Sequence, residues 1–337
     1  MAMEIIPGLP DDIGRECLLR VPLTSHYKLV RVCKTWKHVV YNALFYQDRK
    51  RFGLCQELII LTCWDIKKDW RIKLYGPLQN SCQTLPQFQL KHPYFPGWSY
   101  CVPFNHKLFV IGLLSDNFPS ALVIYDFSSG KWKCGPNIPD NRECSCCSVD
   151  SAKGLIYIAG RCYSRGEELR TAIVYDTEEE KWEYLPQMIW SEDSDMWHSV
   201  FSDDKFYVVS HAMGQIQIYD PNTRQWSAIT IISDVCMYPS FSAFGWIYHD
   251  FHEKIVEWDY LENQCLHVPD NGFIGATVWN KQMLMAVEGE ENSRDFYLSE
   301  PSIPEEAGKA EENNWTLLSS LSETELPDVI TIGALTL

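Results

Sequence analysis

Three cysteines stand almost side by side at Cys144, Cys146 and Cys147, and the run His249-Asp250-Phe251-His252-Glu253 puts four ligating side chains within five residues. Metal binding is the chemistry such clusters suggest. A structural zinc site takes four ligands, usually as two spaced pairs, and no second C-x-x-C pair or nearby His pair completes the cysteine cluster. The His249–Glu253 run falls where a β-hairpin is expected to turn, which explains its polarity without a metal. The chain has no G-x-G-x-x-G after a strand, no phosphate-cradling G-x-x-x-x-G-K, no H-E-x-x-H and no G-x-S-x-G. No catalytic residue, metal or cofactor is therefore expected, and the chain reads as a non-catalytic binding protein.

Composition narrows the setting. The 13 cysteines are an odd number without secretory context, and read as reduced thiols acting as small hydrophobes. No stretch approaches the roughly 18 apolar residues that span a bilayer, and nothing near the N-terminus looks like a signal peptide. The expectation is a soluble protein of the cytoplasm, the nucleus or both, without membrane contact. Residues 1–52 carry nine Lys/Arg against five Asp/Glu, net +4, which leaves the remainder at −20 of the total −16. An acidic body argues against nucleic-acid binding, since phosphate contacts need a basic surface. A basic head instead suits an acidic partner.

The head spans 4–52. Pro10 with Asp11 and Asp12 supplies helix-start chemistry, and Ile13, Cys17, Leu18 and Val21 fall on one helical face until Pro22 stops it. Thr24 and Ser25 are placed to cap a second helix with the stripe Leu29, Val32, Cys33, Trp36 and Val40, and Lys28, Arg31, Lys34 and Lys37 on its other face. A third helix is expected over Ala43–Arg51. Some 45 residues cannot bury these stripes alone, so a partner or the following domain must cover part of them.

Behind the head, over 53–337, one pattern recurs: a β-rich run, Tyr-Asp, then a Trp, often followed by Leu-Pro. Intact copies are Tyr125-Asp126 with Trp132, Tyr175-Asp176 with Trp182, and Tyr219-Asp220 with Trp226. Weaker copies are Tyr75 with Cys82, Trp258-Asp259 with Cys265, and Tyr297 with Trp315, the last stretched by the acidic run Ser299–Asn314, read as a mobile loop. Anchor intervals of 50, 50, 44, 39 and 39 residues belong to propeller blades. The Asp is placed to bond turn amides. Earlier strands are expected at Lys107–Leu113, Leu155–Gly160, Lys205–Ser210, Trp246–His249 and Gln282–Val287. Only three strands fit between Glu57 and Pro86, so the β-prone run near 328–335 is expected to supply the fourth and close the ring.

Taken with these spacings, Leu9-Pro10, Leu18, Val21-Pro22 and Val32-Cys33-Lys34 before Trp36 resemble the F-box motif, and the Tyr-Asp…Trp units resemble kelch repeats. The double glycine of kelch is eroded here to Gly112-Leu113, Gly160-Arg161 and Ser210-His211. The whole chain looks like the plant F-box/kelch-repeat family. That resemblance implies a mainly β fold, a six-bladed kelch-type propeller after a small three-helix F-box. It implies the substrate receptor of a Skp–cullin–F-box ubiquitin ligase, in which Leu9, Pro10, Leu18, Val21, Leu29, Val32, Cys33 and Trp36 contact the Skp-family adaptor or build the docking helices, leading on to a cullin–RING ligase. Some relatives direct phenylpropanoid-pathway enzymes or hormone-response regulators to degradation, so such a protein client is a possibility for this chain. Candidate client contacts, read as loop residues or as lying between blades, are Tyr94, Trp98, Phe118, Arg161, Arg165, Arg170, Trp190, Trp197 and His211, because aromatic and Arg side chains dominate interface hot spots. The alternatives are a kelch protein-binding scaffold without ligase partnership, or a metal-dependent kelch-type enzyme.

Overall fold

A computed structural model of the protein describes residues 4–336 except residue 56 and segments 65–69, 78–80, 89–98, 116–117, 140–141, 165–166, 190–196, 211–214, 231–239, 244–245, 251–253, 259–262, 268–272, 280–281, 289–292, 300–314 and 322–328. The head holds α1 (Asp11–Leu19), a 3-10 turn at Leu23–Ser25, α2 (His26–Leu29), α3 (Lys34–Tyr41) and α4 (Ala43–Arg51). Asp11 and Asp12 occupy the first turn of α1, where the helix dipole favours acids, and the Asp11 carboxylate accepts from the Ile5 amide at 2.9 Å. Gly14, Leu18 and Leu19 face inward, whereas Ile13 and Cys17, expected on the same face as Leu18, are exposed.

The expected single second helix is in fact two. Cys33 adopts an extended conformation (φ −156°, ψ 170°), ends the first segment and starts α3 by accepting the Trp36 amide on its thiol at 3.4 Å. Ser25 makes no side-chain cap. The break sends Val32, at 60 % exposure, outward while Leu29, Val39 and Val40 stay in the core. Asn42 caps α4 by accepting the Leu44 amide at 2.9 Å.

Six antiparallel four-stranded sheets follow. The first blade pairs β24 (Val329–Thr336), β1 (Glu57–Trp64), β2 (Trp70–Gly76) and β3 (Ser81–Thr84); the second has β4 (Ser99–Phe104), β5 (Lys107–Ser115), β6 (Phe118–Asp126) and β7 (Lys131–Cys134). The third has β8 (Arg142–Asp150), β9 (Leu155–Ser164), β10 (Glu167–Asp176) and β11 (Lys181–Tyr184), and the fourth β12 (Trp197–Ser202), β13 (Lys205–Ser210), β14 (Gln215–Asp220) and β15 (Gln225–Thr230). The fifth has β16 (Ser240–Ala243), β17 (Trp246–Asp250), β18 (Lys254–Trp258) and β19 (Asn263–His267), and the sixth β20 (Phe273–Trp279), β21 (Gln282–Glu288), β22 (Arg294–Ser299) and β23 (Trp315–Leu321). The first strands touch in a closed circuit, β24–β4–β8–β12–β16–β20–β24, which makes the body a six-bladed propeller. β24 closes it by pairing antiparallel with β1, Ile59 opposite Ala334.

The repeat motif now has a physical role. Tyr125, Tyr175 and Tyr219 lie directly across the strand pair from Trp132, Trp182 and Trp226, ring centroids 5.0, 4.7 and 5.2 Å apart. The Asp after each Tyr accepts the amide two residues on, at 2.7 to 2.8 Å, forming an Asx turn. The weaker copies shift: Trp258 faces Asn263 and Cys265 faces Val256, while Trp315 faces Ser299 and Tyr297 faces Leu317. Only Tyr75 opposite Cys82 keeps the register. The middle strands are continuous apolar runs, such as Leu108–Ile111, because each blade is covered on both sides by its neighbours.

Candidate functional site

Two surfaces matter: the head's outer face, and the propeller end farthest from it. In the head, the corner after α1 is held from inside. Arg49, 2 % exposed, donates to the Leu19 carbonyl, to Val21 O at 2.8 Å and to Leu54 O at 2.8 Å. The fully buried His26 donates from Nε2 to the same Val21 oxygen at 3.0 Å, leaving Nδ1 to face the Tyr46 hydroxyl at 3.4 Å. Burial, and then the nearby Arg49 charge, lower the His26 pKa to about 4. The ring is neutral at pH 7.

Around that corner the adaptor-facing candidates divide. Leu18 and Leu29 lie in the head's own core and build the surface from beneath. Leu9, Pro10, Val32 and Cys33 are exposed, joined by Ile13 and Cys17. Val21 and Trp36 are half-buried, and the Trp36 indole donates to Ile5 O at 2.6 Å, latching the N-terminal segment onto α3. Lys28, Arg31, Lys34 and Lys37 are exposed as well, Lys28 and Arg31 lying over the Tyr27 ring. The result is a head that leaves Leu9, Ile13 and Val32 exposed among basic residues.

Strand polarity sorts the other candidates. The turns β4–β5 and β6–β7 and the start of β1 share one end of the propeller, where the head sits: Tyr46 stacks on His106 at 4.3 Å. Strands β5 and β9 end, and β4, β8 and β12 begin, at the opposite end. Phe118 begins β6, Trp197 begins β12, and Arg161 and Arg170 are direct cross-strand partners in the far half of the β9–β10 hairpin. Arg161 and Arg170, expected in loops, are strand residues because the hairpin pairs on to Ser164 and Glu167; Phe118 and Trp197, the latter expected between blades, each begin a strand. Tyr94, Trp98, Arg165, Trp190 and His211 lie outside the described residues, as do Phe251–Glu253 of the His cluster and all but Ser299 of the acidic insertion.

The cysteine cluster lies on β8, with Cys144 and Cys146 buried and Cys147 half-buried. Burial pushes the Cys146 thiol up to about 12 and Cys147 well above its ordinary value, so both are protonated and behave as apolar groups. Among the described residues no three His, Cys, Asp or Glu side chains are grouped to hold a metal ion, and no helix is long and apolar enough to cross a membrane. Sequence reasoning missed His26, Arg49 and Tyr46, since a polar residue inside a short helix gives no sign that it is buried. It also missed the indole bonds between blades, for which the recurring Leu-Pro was the available signal.

An F-box-like helical head fused to a kelch-type propeller is the class this architecture defines. The chain matches the F-box domain over residues 6–48, which is α1 to α4, and the Kelch motif over residues 143–189, which is the third blade. It is similar to the Arabidopsis thaliana F-box/kelch-repeat protein At1g80440, 28% identical over 250 residues, covering 68% of this chain and 70% of that one. It is similar also to At1g15670 (26% over 278 residues; 72% and 75%) and SKIP20 (26% over 295 residues; 72% and 69%), both F-box/kelch-repeat proteins of the same plant. These likenesses, in head and propeller alike, support the resemblance to plant F-box/kelch-repeat proteins.

Proposed function

We propose that this protein is the substrate-recognition subunit of a Skp–cullin–F-box ubiquitin ligase. The head docks a Skp-family adaptor through Leu9, Pro10, Ile13, Val32 and Cys33, its net positive charge suiting an acidic partner. The propeller end opposite the head, bearing Phe118, Arg161, Arg170 and Trp197, holds a protein client. The chain performs no bond chemistry: it raises the client's effective concentration at the ubiquitin-carrying enzyme and orients it. The observation that carries this reading is the exposed apolar face of an F-box-matched head. A folded head with Val32 60 % exposed has a surface made to be covered.

The test is co-expression with a Skp-family adaptor followed by size-exclusion chromatography, with Val32→Asp as the control. Val32 is a better control than Trp36, whose loss would also release the Ile5 latch. Co-elution of a one-to-one complex, abolished by Val32→Asp, is the expected result. A folded chain that ignores the adaptor would leave a protein-binding scaffold and overturn the ligase reading.

A further inference from the structure

Gly130, Glu180 and Arg224 hold one place in three successive blades, two residues before the Trp, in the turn that joins the third and fourth strands. All three have positive φ, at 66°, 52° and 56°. In the third and fourth blades the side chain reaches the preceding blade: Glu180 pairs with Lys133, and Arg224 with Glu183 at 2.7 Å. The left-handed backbone therefore does not itself demand glycine here, since the sister turns carry Glu and Arg in it. What differs at Gly130 is its neighbour. A Cβ there would lie 2.6 Å from Cβ and 2.9 Å from Cγ of Tyr27, in the head. Real Cβ contacts do not come under 3.0 Å, so Tyr27 and a side chain at 130 exclude each other.

The head grips the same blade twice more. Leu23, fully buried, belongs to the cluster that joins Leu108, Val110, Tyr125 and Phe127 of the second blade to Leu58 and Leu74 of the first. The Tyr46 ring lies nearly parallel to His106, 18° between planes, and also meets His26 at 5.7 Å in a tilted contact; His26 in turn holds Val21 O. The docking corner and the propeller are thus linked through two packed rings.

We propose that Leu23, Tyr27 and Tyr46 are positioning residues that weld the F-box to the second blade as one rigid body. The docking corner at Val21 and the far end of the propeller then keep a fixed distance and angle while ubiquitin is transferred, a purpose that rests on the ligase reading. Gly130 marks the repeat position that gave up its interblade side chain to admit the head.

The test uses the full chain carrying two fluorophores on non-canonical residues at the exposed positions Gln47 and Lys181, read by single-molecule energy transfer without adaptor. The wild type is expected to give one narrow distance. Gly130→Glu, which restores what the third blade carries, should broaden and lengthen it while the propeller unfolds cooperatively as before. Tyr46→Ala should broaden it as well, which keeps the test open should Gly130→Glu fail to fold. A broad distance in the wild type, or a narrow one retained in folded Gly130→Glu or in Tyr46→Ala, would overturn the weld. Because no adaptor is present, that failure is distinct from failure of the ligase reading, which co-elution measures.

Discussion

The indole Nε1 of Trp226 donates to the carbonyl oxygen of Pro186 at 2.8 Å, reaching from the fourth blade to the chain leaving the third. Trp182 reaches Pro136 at 3.3 Å and Trp132 reaches Pro86 at 2.6 Å in the same way. The second and third blades therefore carry both halves of a clasp, a Trp gripping the blade before and a proline carbonyl offered to the blade after. Leu185, buried beside Pro186, seats the clasp in the interblade core.

Replacing Trp226 by Phe keeps most of the ring and removes the donor. The expected loss is about 1 kcal/mol of unfolding free energy, measured by urea denaturation, with Trp226→Ala costing about 3 kcal/mol or more because the ring's packing against Tyr219 and Phe206 goes too. A Trp226→Phe variant as stable as the wild type would show that the hydrogen bond contributes nothing.

Arg49 satisfies three carbonyls from a buried position, two of them at the corner that follows α1. Arg49→Leu should destabilise the head by about 3 kcal/mol or more and abolish adaptor co-elution. Proteolysis followed by mass spectrometry should find cleavage confined to the head, with the fourth blade intact.

The His26 pKa falls from an ordinary 6.5 to about 4 on folding, so the unfolded chain binds the proton more readily. Its contribution is fully present above about pH 6.5 and is lost as pH falls toward 4, amounting to about 3 kcal/mol across that window. The head's melting temperature should drop between pH 6.5 and 4, and His26→Gln should flatten that dependence. An unchanged slope in the variant would assign the acid sensitivity elsewhere.

Thiol chemistry should divide the cysteines by burial. Cys17, Cys33, Cys82 and Cys134 are exposed, whereas Cys63, Cys144 and Cys146 are buried. Iodoacetamide applied to the native protein should modify the first four, and the other three should react only after denaturation. If Cys33 is covered by the adaptor, its alkylation should slow in the complex.

The propeller was legible because its signal is repeated. Tyr-Asp…Trp recurs wherever a hairpin must turn and a ring must meet its cross-strand partner, and the strands expected at Lys107, Leu155, Lys205, Trp246 and Gln282 begin at those residues. The Trp315 copy misled, because a long insertion let the strand re-pair with Ser299 instead of Tyr297. In the head, periodicity could not see the break at Cys33, since a thiol capping a helix leaves the apolar spacing unchanged. Candidate client residues were harder still. Arg161 and Arg170 look like loop residues in a sequence whose kelch glycines have eroded, but the hairpin simply runs longer.

Ile59 pairs with Ala334, so the first blade stays one strand short until β24 has left the ribosome. Until then β1 presents an unsatisfied edge beside an apolar run, the kind of surface that nascent chains lose to aggregation. Ring assembly is consequently a late event dominated by distant contacts, and slow for that reason. A frameshift or stop codon anywhere before Val329 would leave a ring that cannot latch, making the protein's abundance in the cell sensitive to the codons of β24.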